Sequence, residues 1–170
     1  MVAGGDWKPL YIPPAKSSSS EMSKRMQGWI TTLIESLDEH VDEGACREAL
    51  EQCGRKCIPR STVRKAKALY DESEGLEDFL DMYAAVNEHL HVEEGGVYMV
   101  YPRCYCNLVN KIPQGELSAT WCNCSRGWVK ELFEVATGRP VDVVLEKSVV
   151  KGDDGCRLMV VFRPGGSEEK

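Results

Sequence analysis

The feature that most limits what this chain can fold into is a change in the spacing of its apolar residues near Gly95 and Gly96. Before this point apolar side chains recur every three or four residues, as on one face of an α-helix. After it, β-branched and aromatic residues alternate with others, as in strands. A single change in this order predicts an α+β fold: a helical N-terminal half followed by a small antiparallel sheet with a packed helix.

Four helices are predicted in the first half from the apolar spacing and from residues that typically begin or end a helix. They are residues 22–41, a stretch after Gly44 that stops at Gly54 or Pro59, residues 61–70 with Ser61 as the cap, and residues 76–90. On this interpretation everything up to the glycine pair is helical.

The second half reads as strand, helix and hairpin. VYMVYPRCYCNLV (97–109) has strand character, and SRGWVKELFEVATG (125–138) has helical spacing that ends at Gly138. VDVVLEKSVV (141–150) and CRLMVVF (156–162) flank KGDDG, a sequence suited to the turn of a β-hairpin.

These patterns also predict how the chain is organised. The prolines and serines of residues 1–19 predict a mobile N-terminal arm, and residues 164–170 a flexible tail. Between them we expect a helical lobe over 20–94 and a cysteine-rich α+β lobe over 95–163. The two lobes together are expected to form one compact unit.

Charge and hydropathy limit the kinds of molecule that the chain is expected to bind and the compartment in which it is expected to lie. A net charge of −6 disfavours nucleic acid, and the basic stretch 55–67 is followed by an acidic run at 71–78 that balances it. The chain shows no leader-like apolar stretch and no run long enough to span a membrane. We therefore expect a soluble cytoplasmic protein. In that compartment its eight cysteines are more suited to metal binding or redox chemistry than to structural disulfides.

Two C-x-C pairs form the candidate metal site. Cys104 and Cys106 lie in the predicted strand, where a period of two sends both side chains to one face. Cys122 and Cys124 stand just before a predicted helix, whose N-terminus favours a thiolate. Four thiolates suit tetrahedral zinc, with an iron–sulfur cluster as the alternative.

A second group of cysteines lies in CGRKC. Cys53 and Cys57 fall on one helix face if the helix continues past Gly54, and they are candidates for a catalytic thiol. The cations that would stabilise a thiolate or hold an anion there are Arg55, Lys56 and Arg60. Burial as small apolar side chains is the competing interpretation. For Cys46 and Cys156 core packing is the favoured one.

Aromatic residues cluster near the C-x-C pairs in the sequence and are candidates for a pocket lining, although core packing explains them equally well. They are Tyr98, Tyr101, Tyr105, Trp121 and Trp128. No glycine-rich phosphate loop, H-E-x-x-H or G-x-S-x-G motif accompanies them. None of the three histidines stands out as a catalytic base.

Residues 122–162 combine a cysteine-rich turn, a helix, a strand and a final strand after a G-D-x-x-C turn formed by Gly152, Asp153 and Cys156. This part of the chain resembles the C-terminal part of the 4-vinyl-reductase-type small-molecule-binding domain. It also looks like the related L-2-amino-thiazoline-4-carboxylate hydrolase-like proteins. The resemblance implies a mixed α/β fold with a buried pocket, often dimeric, with cysteines as metal ligands or as a reactive thiol.

Two functions follow as hypotheses. The first is a non-catalytic protein that binds zinc through four thiolates and a small molecule beside them, and it is favoured because no base for a nucleophile is evident. The second is a thiol-dependent enzyme, such as a hydrolase of a small sulfur- or nitrogen-containing compound. In both, the expected partners are a small-molecule ligand and a second copy of the chain, with neither nucleic acid nor a membrane.

Overall fold

The computed structural model describes residues 19–164 and contains five α-helices, four β-strands and two short 3₁₀ helices within that range. In chain order they are α1 (Ser19–His40), α2 (Glu43–Cys57), α3 (Arg60–Glu72), α4 (Leu76–Val86), β1 (Leu90–Glu93), β2 (Gly96–Tyr101), the first 3₁₀ helix (Ala119–Cys122), α5 (Asn123–Thr137), β3 (Val141–Lys147), the second 3₁₀ helix (Val149–Lys151) and β4 (Cys156–Phe162). The predicted α+β class is confirmed.

The four strands form one antiparallel sheet in the order β1-β2-β4-β3. The predicted hairpin is confirmed, since β3 pairs with β4 from Val141 opposite Phe162 onwards. Its connection is longer than predicted because β3 ends at Lys147 and the second 3₁₀ helix follows before the KGDDG glycines. Gly152 takes the positive φ of 103° that this turn needs.

The first core cluster lies between the sheet and helices α3, α4 and α5. Phe133 of α5 stands at its centre, with its ring edge against Phe79, Tyr83 and Phe162 at centroid distances of 6.4, 6.2 and 5.5 Å. Fully buried side chains from the sheet, such as Leu158, complete the cluster. The helix that follows the cysteine-rich turn is thus the element that joins the helical half to the sheet.

A second core cluster packs α1 against α2 and the irregular segment 102–118. Its buried members are Ile30, Ile34, Cys46, Leu50, Val109 and Leu117. Cys46 is therefore a core residue, as predicted. Helix α2, whose Cys46 and Leu50 lie in the second cluster, also packs against α5, whose Phe133 lies in the first, and so α2 connects the two clusters.

Helices α2 and α5 cross at two glycines. A Cβ on Gly54 would overlap the carbonyl oxygen of Cys124, and a Cβ on Gly127 would overlap that of Glu51. Ion pairs flank the crossing, including Lys130 to Glu51 at 2.5 Å. This contact explains why α2 continues through Gly54 to Cys57, since close packing offsets the low helix propensity of glycine.

Two helix boundaries were predicted wrongly. The fourth helix ends at Val86 and not at Leu90, because Leu90 begins β1 and pairs with Met99 of β2. Glu94 and Gly95 therefore form the turn of a β-hairpin whose second strand begins at Gly96, and the proposed limit between lobes at residue 94 falls in this turn. Ser61 does not cap α3, which begins at Arg60 directly after Pro59.

The strand predicted over 97–109 was also wrong in length. Strand β2 ends at Tyr101, and residues 102–118 form turns and irregular structure before the first 3₁₀ helix. Pro102 follows the last paired residue and has no N–H to donate to a sheet ladder. Cys104 and Cys106 consequently lie in this segment and not on a strand face.

The arm predicted over residues 1–19 and the tail predicted over 164–170 lie outside the described residues, apart from Ser19 and Pro164. Within residues 19–164 no helix is both long enough and apolar enough to cross a membrane.

Candidate thiol site

Two cysteines stand where the first 3₁₀ helix passes into α5. Cys122 is buried, and its Sγ shares a hydrogen bond with Oγ of Ser148 at 3.1 Å. Cys124 lies in the first turn of α5, and its backbone carbonyl rests against Gly54 of α2. The crossing of α2 and α5 thus sets the position of both thiols.

Ser148 links this pair to a third cysteine. It is fully buried between β3 and the second 3₁₀ helix, where its Oγ accepts from Val150 N–H at 3.1 Å and its N–H donates to Asp153 Oδ2 at 2.7 Å. The next residue, Val149, donates its N–H to Sγ of Cys156 at 3.5 Å. One short turn therefore contacts both Cys122 and Cys156.

Cys104 and Cys106 approach the same turn from the sheet. They follow Tyr101, which pairs with Cys156 across β2 and β4, and both pack partly buried against the second core cluster. With Val149 and Val150, Cys104 also lines a cavity of about 70 Å³.

The pKa values of two of these thiols, Cys122 and Cys104, are raised. Burial raises the pKa of Cys122 to about 11, with a lowering by the Ser148 hydrogen bond and a further rise from the neighbouring Cys156, Cys104 and Cys106. Burial likewise raises the pKa of Cys104. These thiols are neutral at pH 7 in the absence of a metal.

Cys124 differs from its expected behaviour. Its place in the first turn of α5 was expected to favour the thiolate, yet its pKa is raised to about 12, first by burial and then by neighbouring Cys57 and Cys106. Loss of solvent around the sulfur thus disfavours the thiolate, whereas the stabilisation that a helix N-terminus gives a negative charge is typically small, below about 1 kcal/mol.

The four cysteines predicted as ligands lie in one neighbourhood, where they influence each other's ionisation, and Cys156 joins them. Cys156 was expected to pack in the core, and it does contact the first core cluster as well. Over residues 19–164, no three His, Cys, Asp or Glu side chains already surround a common ion-sized centre.

Cys53 and Cys57 are exposed on the last turns of α2, beside Cys124. Arg55, predicted to stabilise a thiolate or anion, instead contacts Glu131 and Glu134 of α5 at 3.3 and 2.6 Å. Side-chain hydrogen bonds to these carboxylates raise the pKa of Arg55. Lys56 and Arg60 are exposed.

The five aromatic residues predicted to line a pocket are spread over several environments. Tyr98 and Tyr101 are three residues apart on β2 and so face opposite sides of the sheet, with Tyr98 under the Arg157 guanidinium. The ring of Tyr101 lies at a tilt against that of His89 and edge-on to that of the exposed Tyr105. Trp128 packs on the first core cluster, and Trp121 on the second.

A larger open cavity of about 580 Å³ lies between α3 and α4, and none of these five aromatic residues lines it. It is lined by Thr62, Lys65, Ala68, Leu69, Glu72, Tyr83, Val86 and Asn87. Its size falls within the range of small-molecule sites.

Sequence reasoning missed the role of Ser148. It also missed Gly54 and Gly127, the two glycines at the crossing of α2 and α5. The signal for Ser148 was its place before V-V-K-G-D, where a serine hydroxyl can accept from the N–H two residues on. Gly54 and Gly127 carried a signal as helix-interior glycines, which usually have a packing reason. Nothing local indicated that the two would meet.

One solved structure with a similar fold is that of a trafficking protein particle complex subunit 3 from Naegleria fowleri covalently bound to palmitic acid. The two share 15% sequence identity at a TM-score of 0.52, over 89% of this chain and 100% of that one. No curated protein shows significant similarity to the chain. These findings do not test the resemblance of residues 122–162 to the 4-vinyl-reductase-type domain, which stays a prediction. A family model, however, matches residues 15–165, and the chain therefore belongs to the family of unknown function DUF6144.

Proposed function

We propose that the protein is a non-catalytic metal-binding protein in which Cys104, Cys106, Cys122 and Cys124 hold a zinc ion. The observation that carries this proposal is that one turn, built around Ser148, contacts Cys122 and Cys156 and borders Cys104, while α5 sets Cys124 beside them. Several soft sulfur donors in one partly buried place suit zinc better than a hard cation.

The raised pKa values support a metal more than a nucleophile. Neutral buried thiols attack electrophiles poorly, whereas a bound zinc ion would displace their protons and form Zn–S bonds of about 2.3 Å. The four sulfurs would need to close around the ion. Cys104 and Cys106 would have to shift towards Cys122 and Cys124. They lie in a segment without helix or strand, whose Val109 and Leu117 are buried in the second core cluster.

The thiol-enzyme alternative has weaker support. Cys53 and Cys57 stand at the carbonyl end of α2, whose partial negative charge opposes a thiolate. Arg55, one of the cations predicted to stabilise a thiolate there, is already engaged by two carboxylates of α5. A small-molecule ligand fits the open cavity between α3 and α4 better than the surroundings of the thiols.

The similar fold of a subunit that carries palmitic acid raises a third candidate, a fatty acyl group on a cysteine. The cavity beside Cys104, of about 70 Å³, has room for a few water molecules and not for a long acyl chain. We therefore place a metal ahead of an acyl group, and the experiment below separates the two.

Metal analysis of protein purified without added metal should give close to one zinc per chain. Cys106→Ser and Cys122→Ser should each lower that content severalfold and lower the thermal midpoint, because metal binding is coupled to folding. Cys53→Ser is the matched control, since this cysteine is exposed and outside the proposed set. It should retain the metal of the parent protein.

Each competing result has its own signature. Iron with visible absorption would indicate an iron–sulfur cluster at the same thiols. Metal-free protein with an added acyl mass would indicate the acyl alternative. Rapid alkylation of Cys53 or Cys57 alone, in metal-free folded protein, would favour the enzyme. Metal-free protein whose eight thiols all titrate and that binds no added zinc would refute the proposal.

A further inference from the structure

Helix α1 carries a row of large apolar side chains that face solvent. Met22, Met26, Trp29 and Leu33 are 51, 45, 62 and 37% exposed, although Ile30 and Ile34 on the adjacent side of the helix are buried in the second core cluster. Single exposed apolar residues are ordinary on protein surfaces, but a row along one helix marks an interaction surface.

The spacing of this row is that of a helix-pairing seam. Its members follow one another at steps of four, three and four residues, the repeat by which helices interlock in coiled coils. Continued by the same steps, the seam reaches Ser36 and His40, at the end of α1. A second helix is thus the shape that fits it.

We propose that this seam binds α1 of a second copy of the chain, in antiparallel orientation. The orientation follows from charge, because Arg25 and Glu39 lie fourteen residues apart, two heptads, on the same flank of the seam. In an antiparallel pair Arg25 of each copy meets Glu39 of the other. A parallel pair would bring the two acidic C-terminal halves of α1 together.

The wider charge pattern of α1 agrees with this arrangement. The first half of the helix contains Lys24 and Arg25 against the single acidic Glu21, and the second half contains Glu35, Asp38 and Glu39. With Arg25 opposite Glu39, Trp29 packs against Leu33 of the other copy at the centre. Met26 then covers the small Ser36. A central tryptophan flanked by adaptable methionines is typical of a well-packed contact.

Sedimentation velocity of the full chain over a range of concentrations tests the interface. The parent protein should form dimers, and Trp29→Ala should weaken the dimer about thirty-fold, the loss that follows from removing a central aromatic side chain. Leu33→Glu should give monomers. Val86→Glu is the matched control, because Val86 is 70% exposed on α4, off the seam, and this variant should remain dimeric.

Charge reversal tests the orientation and is insensitive to a general folding defect. Arg25→Glu and Glu39→Arg should each weaken the dimer, and the double variant should restore it. A double variant that stays as weak as the single variants would overturn the antiparallel arrangement. A parent protein that is monomeric throughout, or a Leu33→Glu variant that still dimerises, would overturn the interface and assign the seam to residues 1–18 or to another protein.

Discussion

At the scale of single residues, the chemistry of the site depends on how deeply each sulfur is buried. Cys122 is buried near Cys156, Cys104 and Cys106, and its Sγ shares a hydrogen bond with the neutral Ser148. Burial therefore keeps the Cys122 thiol protonated to higher pH than an exposed cysteine would be. Without a metal, Cys122 is therefore a neutral thiol at pH 7. Its raised pKa also makes the stability of the folded protein depend on pH.

The pKa of Cys122 is raised from an ordinary 9.0 to about 11 by burial first, so the unfolded chain loses this proton at lower pH than the folded chain does. Its contribution to stability is complete below pH 9 and is lost as the pH rises towards 11. The loss is on the order of 3 kcal/mol. Denaturant unfolding of metal-free protein should therefore show a steeper fall of stability over this range for the parent than for Cys122→Ala. Parallel curves would contradict this assignment.

At the scale of elements, the contact between α2 and α5 holds the site together. The two helices approach closely because Gly54 and Gly127 present no side chain, and the approach sets Cys124 against α2. Ion pairs such as Glu51 to Lys130 close the sides of the crossing. An outward shift of α5 would move Cys124, a proposed ligand in its first turn.

Gly54→Ala should destabilise the protein by about 2–3 kcal/mol or more, because the added methyl group overlaps the Cys124 carbonyl and forces the helices apart. Gly28→Ala in α1 is the matched control. Nothing lies within 4 Å of a Cβ there, so alanine should stabilise the helix by about 0.5–1 kcal/mol. Thermal unfolding of the two variants measures the contrast. Equal effects of the two substitutions on stability would mean that α2 and α5 do not pack closely at Gly54.

At the scale of the whole molecule, two core clusters are joined through α2. Ile58, just after this helix, lies in the first cluster, whereas Cys46 and Leu50 lie in the second. The shared helix predicts that residues 20–163 unfold as one cooperative unit and not as a helical lobe followed by a cysteine-rich lobe.

Phe133→Ala removes the central ring of the first cluster and should cost about 3–5 kcal/mol, and Ile34→Ala in the second should cost about 2–5 kcal/mol. In both variants, near- and far-ultraviolet circular dichroism should follow one and the same transition. Separate transitions in either variant would show two independent units.

The sequence by itself determined the features that depend on local backbone geometry. Apolar spacing located α1 and α5, and Gly138 ended α5 with the positive φ that glycine adopts readily. Two strand-like segments on either side of a turn sequence, Val141–Lys147 and Cys156–Phe162, located the final hairpin. The residues that determine each of these features lie within a few positions of one another, so a short window contains the whole signal.

Only the tertiary structure decided the features that depend on contacts between distant segments. Leu90 has the spacing of a helix but belongs to β1, because pairing with Met99 satisfies its backbone. Gly54 stays helical because Cys124, seventy residues further on, packs against it. Cys156 reaches the other thiols through the pairing of β4 with β2 and through the Ser148 turn. Such contacts stabilise the fold, but the helix or strand propensity of a short segment does not reflect them. The thiol site was therefore only partly predictable from the sequence.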